Sequence, residues 1–106
     1  MFGFLKSNQG KAIHVNDMDD LIGKVELIDI RERSEYHSGS LKSAKNIPMG
    51  ELLSEPNKYL LQGKTYYIMC QSGGRSGRAC SLLNKQGFDV INVAGGVGSY
   101  VGTKRK

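Results

Sequence analysis

Cys70 is followed by Gln71, Ser72, Gly73, Gly74, Arg75 and Ser76, and this run joins an apolar stretch, Tyr66 to Met69, to a helix-like one, Ser76 to Gln86. A thiol therefore stands at a strand-to-helix turn. Gly73 and Gly74 permit positive φ, so the backbone can curl until successive N–H groups point toward one atom. The oncoming helix adds the partial positive charge of its N-terminus, and Arg75 and Arg78 add full charges. All of these favour thiolate over thiol at Cys70. The thiolate is the nucleophilic form, so the run supplies both a nucleophile and a socket for a negatively charged reacting group. The plainer alternative is an inert cysteine ending a buried strand, but a merely structural turn needs neither two glycines nor a cation beside sulfur.

The remaining candidates for chemistry are few. Cys80 lies beside the inward stripe of the following helix, where a small hydrophobe fits, and a resolving thiol would have to reach Cys70 from within a helix body. His14 and His37 have no partner in view, and a pre-ionised thiolate needs no general base. Two cysteines without C-x-x-C spacing and two histidines make no metal-ligand set, so neither a metal nor another cofactor is expected.

At 106 residues the chain is long enough for one core. It reads as a single domain over 1–106 with its core at about 12–101, an N-terminal segment that is apolar over Met1 to Leu5 and loosely packed, and a basic C-terminal tail. No apolar run is long enough to span a bilayer, and Met1 to Leu5 has neither the basic flank nor the cleavage site of a signal peptide. Reactive-thiol usage then places the protein in a reducing cytoplasm. The net charge of +5 is partly end-loaded, with Lys6 and Lys11 near the start and Lys104, Arg105 and Lys106 at the close. Such ends read as solvated tails that attract small anions, not as a nucleic-acid stripe. A monomer is expected.

Along the chain, Ala12 to Val15 reads as a short strand, and Asn16 as the cap of a helix with Asp17, Asp19 and Asp20 in its first turn, ended by Gly23. Val25 to Ile30 is nearly continuously apolar, as in a strand covered on both faces. Arg31 to Ser38 has helical composition and stops at Gly39. Lys45 to Pro48 predicts an edge strand, Met49 to Leu53 a short helix, and the region of Pro56 a loop. Thr65 to Cys70 is a second apolar strand, Ser76 to Gln86 a helix with Ala79, Leu82 and Leu83 inward, and Asp89 to Val93 the last strand. This alternation predicts an open, mainly parallel α/β sheet, whose ligands bind outside the carboxyl ends of the strands, where Cys70 falls.

Three separated segments and the end of the chain resemble the rhodanese-like sulfurtransferases, from about residue 12 to 101. Asp29, Ile30 and Arg31 followed by Glu35 and Tyr36 look like the family's D-[VI]-R-x-x-x-E-[FY] segment. Gly39 to Pro48 is similar to its G-H-I-x-G-A-x-N-I-P segment, with Ser40 for the usual His and Ser43 for Gly. Cys70 to Ser76 resembles the active-site loop, and Gly95, Gly96 and Tyr100 occupy the place of a G-G-x-x-x-W ending, with Tyr100 for Trp.

The resemblance implies a five-stranded parallel sheet flanked by helices on both faces, and a cysteine that carries persulfide sulfur from an anionic donor such as thiosulfate to a thiol, cyanide or protein acceptor. Inward N–H groups from Gln71, Ser72, Gly73, Gly74 and Ser76 would serve the persulfide anion, and Arg75 the donor's negative charge. The hydroxyls of Ser72 and Ser76 either donate there or serve only the turn and helix cap. Asp29 and Arg31 read as a structural pair tying the strand end to the loop, with direct substrate contact as the alternative. Glu35 either lies on a solvated helix face or helps hold that pair. Two other functions compete. One is a persulfide carrier or binding module working with a protein partner. The other is a cysteine-dependent phosphatase, but its loop is C-x5-R, and here Cys70-x4-Arg75 is one residue shorter, with Ser76 where the phosphatase Arg would fall.

Overall fold

The computed structural model describes residues 11–106; the expectations for Met1 to Leu5 and for Lys6 lie outside them. Apolar runs of strand length alternate with helical ones, and the result is a parallel sheet of five strands: β1 (Ala12–His14), β2 (Glu26–Asp29), β3 (Lys45–Asn46), β4 (Thr65–Met69) and β5 (Asp89–Ala94). The spatial order is β1-β5-β4-β2-β3. After β2 and β3 the chain returns to lay β4 beside β2, and then crosses to β5 on the opposite side of β4. That reversal falls at the carboxyl end of β4, and the carboxyl edge at such a switch point is where ligands reach an open sheet of this kind.

Period-two alternation sends successive side chains to opposite faces, and both faces are covered. Ile28, Tyr66, Ile68 and Val90 pack toward α2 (Met49–Ser54), α3 (Pro56–Tyr59) and α4 (Gly74–Lys85), meeting Leu52, Leu60, Ala79 and Leu83. Leu27, Met69 and Val93 face the other way, against Val15, Met18, Ile22 and Leu41, and against Val97 of α5 (Gly96–Ser99). Tyr36 of α1 (Arg33–His37) leans on that second cluster. The fold class is the one expected. Among the described residues no helix is long and apolar enough to cross a membrane.

Several local expectations are corrected. Asn16 caps no α-helix: residues Val15–Asp17 form a 3-10 turn, closed by donation of the Asn16 N–H to Nδ1 of His14 at 3.2 Å, and the chain continues in turns to Lys24. Met18 and Ile22 are still buried, because the turns present them to the sheet as a helix would. The side chain of Asn16 is spent elsewhere, donating to Ser99 O and accepting from the Val101 N–H. Around Pro56 there is helix α3 in place of a loop, with proline at the first helical position, where its missing N–H costs nothing. On α4 Ser76, Cys80 and Asn84 are buried beside Ala79 and Leu83, while Leu82 is exposed.

The departures from the family's usual residues have local explanations. Ser43 holds φ +68°, the left-handed conformation natural to glycine, and its hydroxyl accepts from the Gly23 N–H at 3.2 Å. Buried Tyr100 donates its hydroxyl to Asp19 at 2.7 Å and accepts from the Lys104 N–H at 3.0 Å.

The basic tail is pinned to the fold although Arg105 and Lys106 stay exposed, and packing runs past residue 101. Lys104 to Lys106 run antiparallel to Ser40 to Lys42: the N–H of Lys106 donates to Ser40 O, that of Ser40 to Lys106 O, and that of Lys42 to Lys104 O, at 2.8–3.2 Å. Arg105 lies over the Tyr100 ring and donates to the carbonyls of Val97 and Tyr100. Backbone pairing and carbonyl contacts hold these cations where charge alone pointed to solvent. Arg105→Ala should therefore lower stability by about 1–2 kcal/mol, roughly 4–15 °C in Tm, by thermal melts read in far-UV circular dichroism. An unchanged Tm would mean that the Arg105 side chain contributes nothing.

Candidate active site

β4 ends at Met69 and α4 begins at Gly74, so Cys70 to Gly73 make the whole connection. The helix starts two residues earlier than its composition indicates, and Arg75 lies in its first turn. Of the two glycines that permit positive φ, only Gly73 uses it, at +102°; Gly74 is helical. A side chain at Gly73 would press on the backbone N of Gly95, so that position needs glycine for space as well as for conformation.

Cys70 is buried at 1% exposure. Its Sγ accepts from the Gly73 N–H at 3.1 Å and from the Ser76 N–H at 3.4 Å, and the Ser76 hydroxyl oxygen also lies 3.4 Å away. Burial pushes the thiol up, but the Ser76 hydroxyl and the amides of Ser76, Gly73 and Ser72 outweigh it, so the net shift is downward. Sulfur is thus ionised more readily than an ordinary cysteine. Cys80 shows the opposite balance. Burial first, and then the charge of Cys70, push it up to about 12, which keeps it a protonated core residue.

The loop is held from three sides. From α5, the N–H of Val97 donates to Cys70 O at 3.0 Å and that of Gly98 to Gln71 O at 2.9 Å. A side chain at Gly96 would collide with those same carbonyls. From the end of β2, Asp29 and Arg31 form a buried ion pair at 2.8 Å. Ser40, buried in the place of the family's usual His, donates its hydroxyl to Asp29 at 2.8 Å. The guanidinium of Arg31 also donates to Gly39 O at 2.7 Å and to the Gln71 side-chain carbonyl at 3.0 Å. The pair therefore ties strand end to loop.

From α1, Glu35 accepts two hydrogen bonds from Arg75, at 2.9 and 3.0 Å. This fork-to-fork contact differs from both expectations for Glu35, and it occupies part of the guanidinium that the sequence left free for a substrate. Glu35 also accepts from the Glu32 N–H at the start of its own helix. Arg75 first, and then that N–H, hold its carboxyl down at about 2. One further residue escaped the sequence reading. Asn92 of β5 contacts both Ser76 and Gly73; its signal was a polar residue inside the apolar run Val90 to Val93.

The structure is thus an open parallel α/β sheet that carries, at the end of its central strand, a buried thiol accepting hydrogen bonds from two backbone amides. Residues 14–103 match the Rhodanese-like domain, and the chain belongs to that family. It is similar to the Bacillus subtilis protein YtwF, whose name assigns it provisionally to the sulfurtransferases: 41% identity over 81 residues, 76% of this chain and 78% of that one. It is also similar to a protein of Allochromatium vinosum named sulfurtransferase, at 33% identity over 82 residues, 76% of this chain and 72% of that one. Another Bacillus subtilis relative, the uncharacterised YqhL, is 38% identical over 80 residues, which are 74% of this chain but only 63% of its own length. Among solved structures, a rhodanese-related protein from Thermoplasma volcanium superposes with a TM-score of 0.76 at 33% identity, over 85% of this chain and 89% of that one. Sulfur transfer is the general activity these relatives support.

The Glu35 to Arg75 pair gives a sign to the acid response. Because the folded carboxyl ionises below its ordinary value of 4.5, the pair's stabilisation is complete above that value and is lost as pH falls toward about 2. Tm measured against pH should show wild type above Glu35→Gln at neutral pH, with the gap closing through this acid window. A gap that stays constant would mean that ionisation of Glu35 is not linked to folding.

Proposed function

We propose that the protein is a sulfurtransferase in which Cys70 carries sulfane sulfur as a persulfide, taken from thiosulfate or a related persulfide donor and passed to a thiol, cyanide or protein acceptor. The observation that supports this best is the convergence of the Gly73 amide and the amide and hydroxyl of Ser76 on one buried sulfur. In the first half-reaction the Cys70 thiolate attacks the outer sulfur of thiosulfate. The bond between that sulfur and the sulfonate sulfur breaks, and sulfite leaves with the electron pair. In the second, an acceptor thiolate or cyanide attacks the outer sulfur of the persulfide, and the Cys70 thiolate is the leaving group. In both steps one bond forms as another breaks and no electrons enter from or leave to a third partner, so no redox cofactor is required.

The persulfide anion extends roughly 2 Å beyond Sγ. Sγ makes no hydrogen bond with the N–H groups of Gly74 and Arg75, which belong to the first turn of α4 and have no intrahelical acceptor. They are the donors left for the outer sulfur, and the helix terminus favours its charge. Arg75 keeps further N–H groups besides the two given to Glu35, and these serve an anionic donor. Asp29, Arg31 and the side chain of Gln71 position the loop and carry out no step. The four-residue spacing from Cys70 to Arg75 fits a ring around one sulfur better than around a phosphoryl group with three outer oxygens.

Incubation with thiosulfate followed by intact-mass analysis should add one sulfur to wild type and to Cys80→Ser, and none to Cys70→Ser. Loading that persists in Cys70→Ser would remove Cys70 as the carrier. Aryl phosphate should not be hydrolysed. Arg75→Lys loses the planar fork, and its kcat/KM for thiosulfate should fall about tenfold to a hundredfold, roughly 1.5–3 kcal/mol. Unchanged kinetics would place the donor's charge elsewhere.

A further inference from the structure

Asn92 is paired in register with Ile68, two residues before Cys70. The two-residue period of a strand turns it to the face shared by Val90, Ile68 and Cys70, which α4 covers. Its carboxamide there meets the first turn of α4. Nδ2 lies 3.3 Å from Gly73 O, and Oδ1 makes the closest of three contacts to the Ser76 hydroxyl oxygen; the others are Gly73 O at 3.2 Å and Cys70 Sγ at 3.4 Å.

Proton counting fixes the arrangement. A serine hydroxyl has one proton to give. Rotating the Asn92 amide would set Oδ1 against Gly73 O, two acceptors with no proton between them, so Gly73 keeps Nδ2 on its own side. Oδ1 then faces Ser76, and the proton between those two oxygens must come from the hydroxyl. While Asn92 holds that proton, Ser76 offers the sulfur only a lone pair, which suits the S–H of a thiol. To hold a thiolate, Ser76 must turn its proton from Asn92 to Sγ.

We propose that Asn92 is a positioning residue that competes with Cys70 for the single proton of Ser76, and so restrains ionisation of the nucleophile until the serine turns. Its part in turnover rests on Cys70 being the sulfur carrier, but the competition itself is measurable without any sulfur donor. The other charged or titratable groups around Cys70 are Arg75 and Cys80 on α4, Asp29 and Arg31 at the end of β2, Glu35 on α1, and His14 of β1 beside Gly95. Substitution of Asn92 leaves all of them in place.

The test is the rate of iodoacetamide alkylation at Cys70, read by mass spectrometry of its peptide across about pH 5 to 10. Asn92→Ala should move the ionisation midpoint downward by up to about one pH unit, so that below the midpoint the thiolate fraction rises by as much as ~10-fold. Asn92→Val, a residue suited to a strand interior, should act in the same direction and serves where the alanine variant fails to fold. In a Ser76→Ala background neither substitution should move the midpoint, because no shared proton remains. A midpoint unchanged or raised in both variants, or shifted equally with and without the Ser76 hydroxyl, overturns the proposal. Failure of the sulfurtransferase reading would show separately, as absence of mass gain with thiosulfate.

Discussion

The buried sulfur of Cys70 sets the terms for the rest of the molecule. Burial alone drives a thiol toward protonation, and a protonated sulfur is a poor nucleophile. Hydrogen bonds from the Gly73 amide and from the amide and hydroxyl of Ser76 reverse that balance. They do so only while the peptide planes stay aimed inward, and this requires the left-handed turn at Gly73 and the grip of the Val97 and Gly98 amides on the preceding carbonyls. A loop of this length has no hydrogen-bond ladder of its own. Its shape is imposed by the two strand ends and two helices around it.

The two Arg–carboxylate pairs near the loop work in different electrostatic settings. Asp29 and Arg31 are dry, and separating two charges from water is costly unless every donor and acceptor finds a partner. Here Ser40, the backbone N–H of Arg31, Gly39 O and Gln71 complete the set. The pair therefore reads as a rigid bracket between strand and loop. Arg75 and Glu35 are each about one-third exposed, and water screens them. Their contact orients a cation at the rim at modest energetic value, and half-neutralises it. The guanidinium of Arg75 is thus positioned and not free.

The chain also shows how a family's scaffold absorbs changed residues. Ser40, in the place of the usual His, sets a hydrogen-bond donor on Asp29. Ser43 accepts a left-handed conformation and offsets part of the strain by accepting a hydrogen bond from Gly23. Tyr100 fills the second core and extends its hydroxyl to Asp19, and the tail closes over it with Arg105. None of these residues touches the sulfur. Each adjusts packing or turn geometry at the periphery of the loop's supports.

The linear order of apolar and polar residues determined the sheet, the main helices and the place of the candidate thiol, because strand period, helix period and the glycine-bearing turn after Cys70 are local properties. Local composition misled where tertiary contacts made the decision. Asn16 has the chemistry of a helix cap but satisfies Ser99 and Val101, more than eighty residues away. The tail looks solvated by charge, yet pairs with Ser40 to Lys42. Arg75 and Glu35 are forty residues apart, and no spacing rule joins them; Asn92 enters the site only because parallel register sets β5 beside β4. Sequence by itself thus singled out the buried thiol on which the proposed chemistry rests. How its proton, its charge and its neighbours are shared was decided by the fold, since those interactions depend on distances of a few ångströms between segments remote along the chain.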